Sequence, residues 1–140
     1  MMSNSILNKQ KQLKDLFTPL ANWEQKYLKI IELGRLLPPF PQVAKQDIYL
    51  VPGCQSRLYL LTLIEHDKLT LYSASDALIS MGLSALIIFV YNKEPPDTIF
   101  KYPPNFLEEL GIFKHLSPGR SHGLNSLIVK MKQDVIQLLK

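Results

Sequence analysis

The chain has 140 residues, of which 46% are hydrophobic and 20% are charged. This composition suits one domain that buries roughly two-thirds of its unfolded surface. The formal net charge is +4, but the basic residues from Lys9 to Lys140 are spread mostly singly among carboxylates. Because nucleic-acid binding needs a concentrated basic surface, we expect no nucleic-acid partner.

The longest apolar stretch, residues 77–91, is interrupted by Ser80, Gly82 and Ser84. It falls short of the roughly 18 residues expected of a membrane span, so it predicts a buried helix and no membrane partner. Residues 1–5 lead into a lysine-rich segment and lack the apolar region of a secretory signal. We therefore expect a cytoplasmic protein, in a compartment where a free thiol stays reduced.

Helical periodicity dominates the N-terminal quarter of the chain. A first helix has a predicted buried face of Ile6, Leu13, Phe17 and Leu20. Asn22 is positioned to cap a second helix, and Gln25 completes a capping box. Residues 37–41, which include three prolines, end this helix and force extended geometry.

The middle of the chain changes to a period of two. Residues 57–65 predict a strand that is covered on both faces, residues 66–68 a turn, and residues 69–72 the returning strand. With a further β segment at residues 47–51, the pattern predicts an antiparallel sheet of about three strands. Packed against several α-helices, this sheet makes an α+β fold in a single domain spanning residues 1–140.

Further helices are predicted after the hairpin. Ser73 or Ser75 caps a helix from Asp76 to about Tyr91, with Asp76 complementing the helix dipole in the first turn. Because glycine is unfavourable inside a helix, Gly82 indicates close packing against the sheet or the Cys54 segment.

Residues 95–97 open a short helix, and Asn105 with Glu108 forms a second capping box. A C-terminal helix then runs to Lys140. Its predicted buried residues are Leu124, Leu127, Ile128, Met131, Val135 and Leu138.

The single cysteine, Cys54, is the first candidate for chemistry. One thiol cannot close an internal disulfide and is a poor start for a zinc or iron–sulfur site, so Cys54 is either a packed apolar thiol or a nucleophile. Isolated cysteines are more often buried and inert. We favour the nucleophile because Pro52 and Gly53 allow a sharp turn before the sulfur, and the polar Gln55 and Ser56 follow it.

A second group of candidate functional residues lies at residues 116–124, which we predict to be a loop built around one proline and two glycines. It presents Arg120 and His122 where the long C-terminal helix begins. The alternative is a simple helix start, with Ser117 or Ser121 as the N-cap, a solvated arginine and an incidental histidine.

Taken together, Gly53-Cys54-Gln55-Ser56 and residues 116–124 resemble the SufE family of sulfur-acceptor proteins, which includes CsdE. The resemblance extends over nearly the whole chain through Asn22–Tyr27, Ile30–Gly34, Ser75–Ala77, Gly82–Leu83, Glu109–Gly111 and His115–Pro118. The chain departs from the family pattern at Tyr59, where tryptophan is usual, and at Gly119, where serine or threonine is common.

The resemblance implies a partner of a cysteine desulfurase of the SufS or CsdA type. Such an enzyme carries pyridoxal phosphate and holds sulfur from cysteine as a persulfide. Cys54 would accept that sulfur, stimulating the desulfurase, and pass it to an iron–sulfur scaffold of the SufBCD type. No metal and no organic cofactor is implied for this chain itself.

Site roles follow by matching residues to the family. Arg120 would stabilise the Cys54 thiolate or persulfide, since a nearby cation favours the anion. His122 is a candidate proton donor. The resemblance also implies that the cysteine rests sheltered against apolar surface until its partner exposes it.

The same matching suggests residues that shape the loop and bind the partner. Gly53 would give the backbone freedom to swing, while Gln55 and Ser56 would shape the loop. Asp76 would lie near the partner-binding surface, although a first-turn carboxylate is an equally good interpretation.

Two other classes of function stay open. One is a hydrolase that uses Cys54 as nucleophile and His115 or His122 as base, although no known Cys–His protease signature and no oxyanion hole is recognisable. The other is an interaction module with an inert thiol.

Overall fold

Helices cover a β-hairpin in the computed structural model, which describes the backbone of residues 2–140 and the side chains of residues 5–140. Met1, which belongs to the N-terminal stretch considered for a signal, lies outside the described residues. The described elements are α1 (Met2–Phe17), α2 (Trp23–Arg35), β1 (Leu58–Glu65), β2 (Lys68–Ser75), α3 (Leu78–Tyr91), α4 (Thr98–Lys101), α5 (Phe106–Glu109), α6 (Ile112–His115) and α7 (Pro118–Leu138). The α+β class is confirmed.

The hairpin forms as predicted. β1 and β2 are antiparallel and pair along their whole length, with Glu65 opposite Lys68 at the turn. His66 and Asp67 between them have positive φ values of 53° and 64°. A two-residue turn with both residues in the left-handed region matches the twist of the strands, which explains the tight connection.

The predicted third strand is wrong, because the sheet in the described part of the chain has two strands. Asp47–Tyr49 forms a 3-10 turn, and only an isolated bridge joins Leu50 to Tyr59. The Val51 amide adds one hydrogen bond to the Leu58 carbonyl at 2.8 Å. The chain turns away at Pro52 directly afterwards, so the pairing cannot extend into a strand.

Helix α3 is the centre of the core. It is the predicted apolar helix, and most of its residues are buried, from Ile79 to Tyr91. Gly82 does permit close packing, but against α2 rather than the sheet or the Cys54 segment. A Cβ on Gly82 would lie 2.7 Å from the carbonyl carbon of Ile30, so the two helix backbones nearly touch.

The capping predictions have different outcomes. For α2, the Asn22 side chain accepts a hydrogen bond from the Gln25 amide at 3.0 Å, and the Gln25 side chain accepts one from the Ala21 amide. For α5, Asn105 makes no side-chain capping bond, so the predicted box with Glu108 is wrong.

The predicted start of α3 is also wrong. The helix begins at Leu78, so Asp76 does not lie in its first turn. The Asp76 carboxylate instead accepts a hydrogen bond from the Arg57 amide at 3.2 Å, across the end of the hairpin. The Ser75 hydroxyl accepts from the Ala77 amide at 3.2 Å, which keeps a local polar turn before the helix.

The predicted loop at residues 116–124 is wrong for most of its length, because Pro118 already opens α7. The Ser117 hydroxyl caps this helix by accepting from the Arg120 amide at 3.3 Å. Proline at the first helical position is favourable because its missing N–H would be unpaired there anyway. At the other end, Leu138 is 48% exposed, against the prediction of a buried side chain.

Among residues 2–140, none of the helices has both the length and the apolar character that crossing a membrane requires.

Candidate thiol site

Residues 52–57, which we call the thiol loop, connect the bridged segment to β1. Gly53 has a φ of 72°, which is unfavourable for residues with a side chain, so the sharp turn expected before the cysteine is present. Because the Val51 amide is bonded to the Leu58 carbonyl, the loop leaves and rejoins the fold at nearly one point. The two ends of the loop are therefore close together, and the loop itself lies over α7.

The Cys54 side chain points toward α7 and is half-buried against the hydrophobic core. Its thiol donates to the carbonyl oxygen of Gly123, with an Sγ to O distance of 3.7 Å. A Cβ on Gly123 would lie 3.3 Å from Sγ, which is tighter than ordinary contact. The glycine thus leaves the sulfur room to rest on the helix.

Next to the sulfur is a small cavity of about 10 Å³. This volume is about the lower limit for holding one water molecule. Its walls combine an apolar floor from α3 and α7 with a few polar groups. The lining residues are Cys54, Gln55, Leu58, Ser80, Leu83, Ser84, Gly119, Arg120, Gly123, Leu124 and Leu127.

Arg120 joins the thiol loop to α3. One of its guanidinium nitrogens, Nη1, donates to the hydroxyl oxygen of Ser56 in the loop and to that of Ser80 in α3, the latter at 2.9 Å. The cation therefore lines the same cavity as the Cys54 sulfur. An arginine that binds both sides in this way ties the loop down and brings a fixed positive charge to the thiol.

Two opposed effects act on the pKa of Cys54. Burial raises it and is the larger effect, whereas the Arg120 charge lowers it. The net result is a pKa above the ordinary thiol value. In this closed arrangement the thiol is predominantly protonated at neutral pH and so is a weak nucleophile.

The remaining loop residues also contact the first turns of α7. Gln55 lies over Gly119, where a Cβ would come within 3.1 Å of the Gln55 Cδ. His122 lies behind Gly53, and a Cβ on Gly53 would be 2.8 Å from its Nε2. His122 lines a separate groove together with Pro52 and Gly53 and is absent from the lining of the thiol cavity.

Asp76 supports the loop from its other end. It accepts from the Arg57 amide, and its own amide donates to the Arg57 carbonyl at 3.3 Å. This pair of bonds fixes the residue where the thiol loop enters β1. Asp76 does not line the thiol cavity, so it is connected to the site through its two hydrogen bonds to the Arg57 backbone.

The geometry does not provide the catalytic pair of a hydrolase. His115 stacks on Trp23 at 4.9 Å between ring centroids. Neither His115 nor His122 hydrogen-bonds the Cys54 thiol within the side chains that the structure describes. Over the same residues, no group of three or more His, Cys, Asp and Glu side chains is arranged to hold a metal ion.

Sequence reasoning missed the roles of Ser80 and Gly123. In the sequence Ser80 is only an interruption of an apolar helix, yet in the structure it holds Arg120. Gly123 belongs to the predicted loop, yet it is a helical residue beneath the sulfur. A buried hydroxyl in an apolar helix and a glycine inside a helix are both signals that call for a tertiary partner, but neither signal identifies that partner.

Comparisons with known proteins agree on one family. The family model described as "SufE: Fe-S metabolism associated domain" matches residues 11–135. A cysteine desulfuration protein SufE from Wigglesworthia glossinidia brevipalpis is 33% identical over 138 residues, which cover 97% of this chain and 95% of that protein. The solution structure of a hypothetical protein from Thermus thermophilus has a TM-score of 0.79 at 24% identity, covering 94% of this chain and 96% of that one, and supports the fold.

Proposed function

The chain belongs to the SufE family, whose domain is associated with Fe-S metabolism, and on that premise we propose that Cys54 is the sulfur acceptor. In this proposal a cysteine desulfurase loads sulfur onto Cys54 as a persulfide. The protein then delivers the sulfur to a scaffold on which iron–sulfur clusters are assembled. The observation that carries the proposal is the Cys54 sulfur beside an atom-sized cavity that Arg120 also lines.

The transfer step is an exchange between sulfur atoms with no net oxidation. The Cys54 thiol first loses its proton, and the thiolate attacks the outer sulfur of the donor persulfide. A new S–S bond forms at Cys54 while the S–S bond of the donor breaks. The donor cysteine leaves as a thiolate that can take up a proton, and the transferred sulfur ends as the outer atom of a Cys54 persulfide.

The closed site protects the Cys54 thiol better than it promotes nucleophilic attack by that thiol. Burial keeps the pKa of Cys54 high, so the resting thiol resists reaction with stray electrophiles and oxidants. After loading, the cavity beside Sγ offers space of atomic size for an outer sulfur, and Arg120 offers a positive charge for its anion. Gly53 permits the change of backbone angle that exposure of the thiol requires.

Stimulation of the desulfurase follows from the same exchange. Removing the outer sulfur regenerates the enzyme's own cysteine for another turnover. The chemistry that liberates sulfur from cysteine belongs to pyridoxal phosphate on the desulfurase, and this chain contributes the acceptor thiol. We assign His122 no proton transfer, because it lines a separate groove with Pro52 and Gly53 and, among the described side chains, makes no hydrogen bond to the Cys54 thiol.

The test is to incubate the protein with a cysteine desulfurase of the same genome and with cysteine, in the absence of reductant. Intact mass spectrometry should show a gain of about 32 Da per sulfur atom transferred, localised to Cys54. The Cys54→Ser variant is the control and should gain nothing. Equal mass gain in both proteins, or none in either, would contradict the proposal.

A further inference from the structure

Two serine hydroxyls of α3 border the thiol cavity, and they differ in how their hydrogens are used. Ser80 is 9% exposed, and Ser84 is fully buried. The Ser84 hydroxyl donates to the Met81 carbonyl at 2.6 Å. Because a hydroxyl has only one hydrogen, the Ser84 oxygen must accept the bond that it shares with the Ser73 hydroxyl at 2.7 Å. Ser84 therefore has no hydrogen left for another partner.

The Ser80 hydroxyl keeps its hydrogen available. Its oxygen accepts from Nη1 of Arg120 at 2.9 Å, and the hydroxyl donates to no atom in the part of the chain that the structure describes. A serine inside a helix often donates to a carbonyl of the preceding turn, as Ser84 does. Since Ser80 makes no such bond to a described residue, its hydrogen can turn toward the cavity that the hydroxyl lines.

Arg120 makes Ser80 a stronger donor. Both hydrogens of Arg120 Nη1 are engaged, one with the Ser56 hydroxyl and one with the Ser80 hydroxyl. A hydroxyl that accepts from a cation is polarised, and hydrogen bonds in such a chain strengthen one another. Ser80 also belongs to α3, whereas Gln55 on the cavity wall is exposed and belongs to the thiol loop. The position of the Ser80 donor therefore does not depend on the loop.

The outer sulfur of a Cys54 persulfide needs such a donor. When this sulfur is deprotonated it carries a negative charge, and burial of an ion without hydrogen bonds is unfavourable. The apolar floor of the cavity, which consists of leucines from α3 and α7, offers it none. In the resting protein the Cys54 thiol bonds to the Gly123 carbonyl and not to Ser80. No described atom therefore uses the Ser80 hydrogen before a second sulfur is present.

We propose that the Ser80 hydroxyl donates a hydrogen bond to the outer sulfur of the Cys54 persulfide inside the thiol cavity. This inference rests on the proposed function and adds the group that binds the transferred atom. Arg120 supplies the positive charge, and Ser80 supplies the directed hydrogen bond. The proton stays on the Ser80 oxygen, so no covalent bond forms or breaks in this step.

The acidity of the persulfide provides the test. The wild type and Ser80→Ala are loaded with glutathione persulfide, whose outer sulfur is attacked by the Cys54 thiolate while glutathione leaves as a thiolate. Alkylation of the persulfide by iodoacetamide over a range of pH, followed by intact mass spectrometry, gives the persulfide pKa. Because a donor favours the anion, Ser80→Ala should lower the acid dissociation constant of the persulfide by about fivefold or more.

Two further variants isolate the hydroxyl. Ser80→Thr keeps an O–H group at the same position and should leave the acid dissociation constant of the persulfide within about twofold of the wild-type value. Ser84→Ala removes the other hydroxyl on the cavity wall, whose hydrogen already binds Met81, and should shift the constant less than Ser80→Ala does. Circular dichroism verifies that each variant is folded.

The unloaded thiol separates sulfur binding from support of Arg120. Ser80→Ala leaves Arg120 bonded to Ser56, so the acid dissociation constant of the unloaded Cys54 thiol should change by less than about twofold. Equal changes for thiol and persulfide, or an unchanged persulfide, would overturn the assignment of Ser80 alone.

Failure of the proposed function gives a different result. If wild-type Cys54 gains sulfur from neither the desulfurase nor glutathione persulfide, the acceptor role fails, and the assignment of Ser80 fails with it.

Discussion

The Cys54 thiol donates to the carbonyl oxygen of Gly123 at 3.7 Å, so the sulfur rests on the backbone of a helix with no side chain between them. Gly123 and Gly82 are both helical glycines that another part of the chain approaches closely. At Gly123 the neighbour is a side chain on a loop, whereas at Gly82 it is the backbone of α2. The two sites should therefore respond very differently to an added methyl group.

We predict that Gly123→Ala moves the thiol outward with little loss of stability. The new Cβ would be 3.3 Å from Sγ, and the loop can yield by a few tenths of an ångström. The free energy of unfolding should change by less than about 1 kcal/mol, because alanine is the better helix former. Alkylation of Cys54 by iodoacetamide should become faster. Gly82→Ala is the contrast and should cost about 1–3 kcal/mol or more in urea unfolding.

The raised pKa of Cys54 predicts a dependence of stability on pH. The folded protein holds the thiol proton more tightly than the unfolded chain does, because burial disfavours the thiolate. This contribution to stability is fully present below the unfolded thiol pKa of about 8.5 and is lost as pH rises through the folded pKa.

Urea unfolding of wild type and Cys54→Ser between neutral and alkaline pH measures this effect. The wild type should lose stability relative to the serine variant as the pH is raised, whereas their difference should be constant at neutral pH and below. If the difference in stability between the two proteins does not change with pH, the raised pKa of Cys54 in the folded protein is contradicted.

Ser56→Ala should loosen the thiol loop. The variant removes the loop's hydrogen bond to Arg120 while leaving the cation and its bond to Ser80. We expect faster alkylation of Cys54 at a fixed pH of about 7.5, together with a thiol pKa closer to the ordinary value of about 8.5, since the sulfur gains solvent. Ser80→Ala is the matched control, because it leaves the loop tied, and it should change the alkylation rate less.

The effect of the Arg120 charge on the pKa of Cys54 is best measured in a variant whose thiol loop has already lost its bond to Arg120. In the Ser56→Ala background, Arg120→Ala should raise the pKa of Cys54, because the cation that favours the thiolate is gone. Arg120→Lys keeps a positive charge and should raise it less. The pH profile of alkylation gives all three pKa values, and identical profiles would remove the electrostatic role from Arg120.

A buried carboxylate far from the thiol should matter for stability alone. Glu94 is 2% exposed and pairs with Lys9 of α1 at 2.6 Å, while the Ser5 hydroxyl donates to it at 2.7 Å. Glu94→Gln should cost about 1–3 kcal/mol, because it leaves a partly buried ammonium without its counter-charge.

The exposed pair Lys11–Asp15 serves as the comparison, and Lys11→Ala should cost less than about 1 kcal/mol. Glu94 lies just beyond the end of α3 that is opposite to Ser80, and the helix from Ser80 to Tyr91 is about 16 Å long. Alkylation of Cys54 in Glu94→Gln should therefore match the wild type, and a faster rate would show that the two regions are coupled.

The sequence by itself determined the features that depend on near neighbours. The hairpin turn at His66 and Asp67 and the cap of α2 by Asn22 were predictable, because turns and caps are completed within about four residues. The sharp turn at Gly53 was predictable for the same reason. The family resemblance, which rests on spaced motifs, named the cysteine and the arginine before any contact between their segments was known.

Only the tertiary structure decided the features that depend on distant partners. Asp76 bonds to Arg57 across the hairpin end instead of entering the helix, and Gly82 packs on Ile30 rather than on the sheet. The thiol pKa follows the same principle. The positive charge of Arg120 alone would lower the pKa of Cys54, but burial against α7 raises it by more. Burial is a property of the packed chain, and no local pattern of residues encodes it.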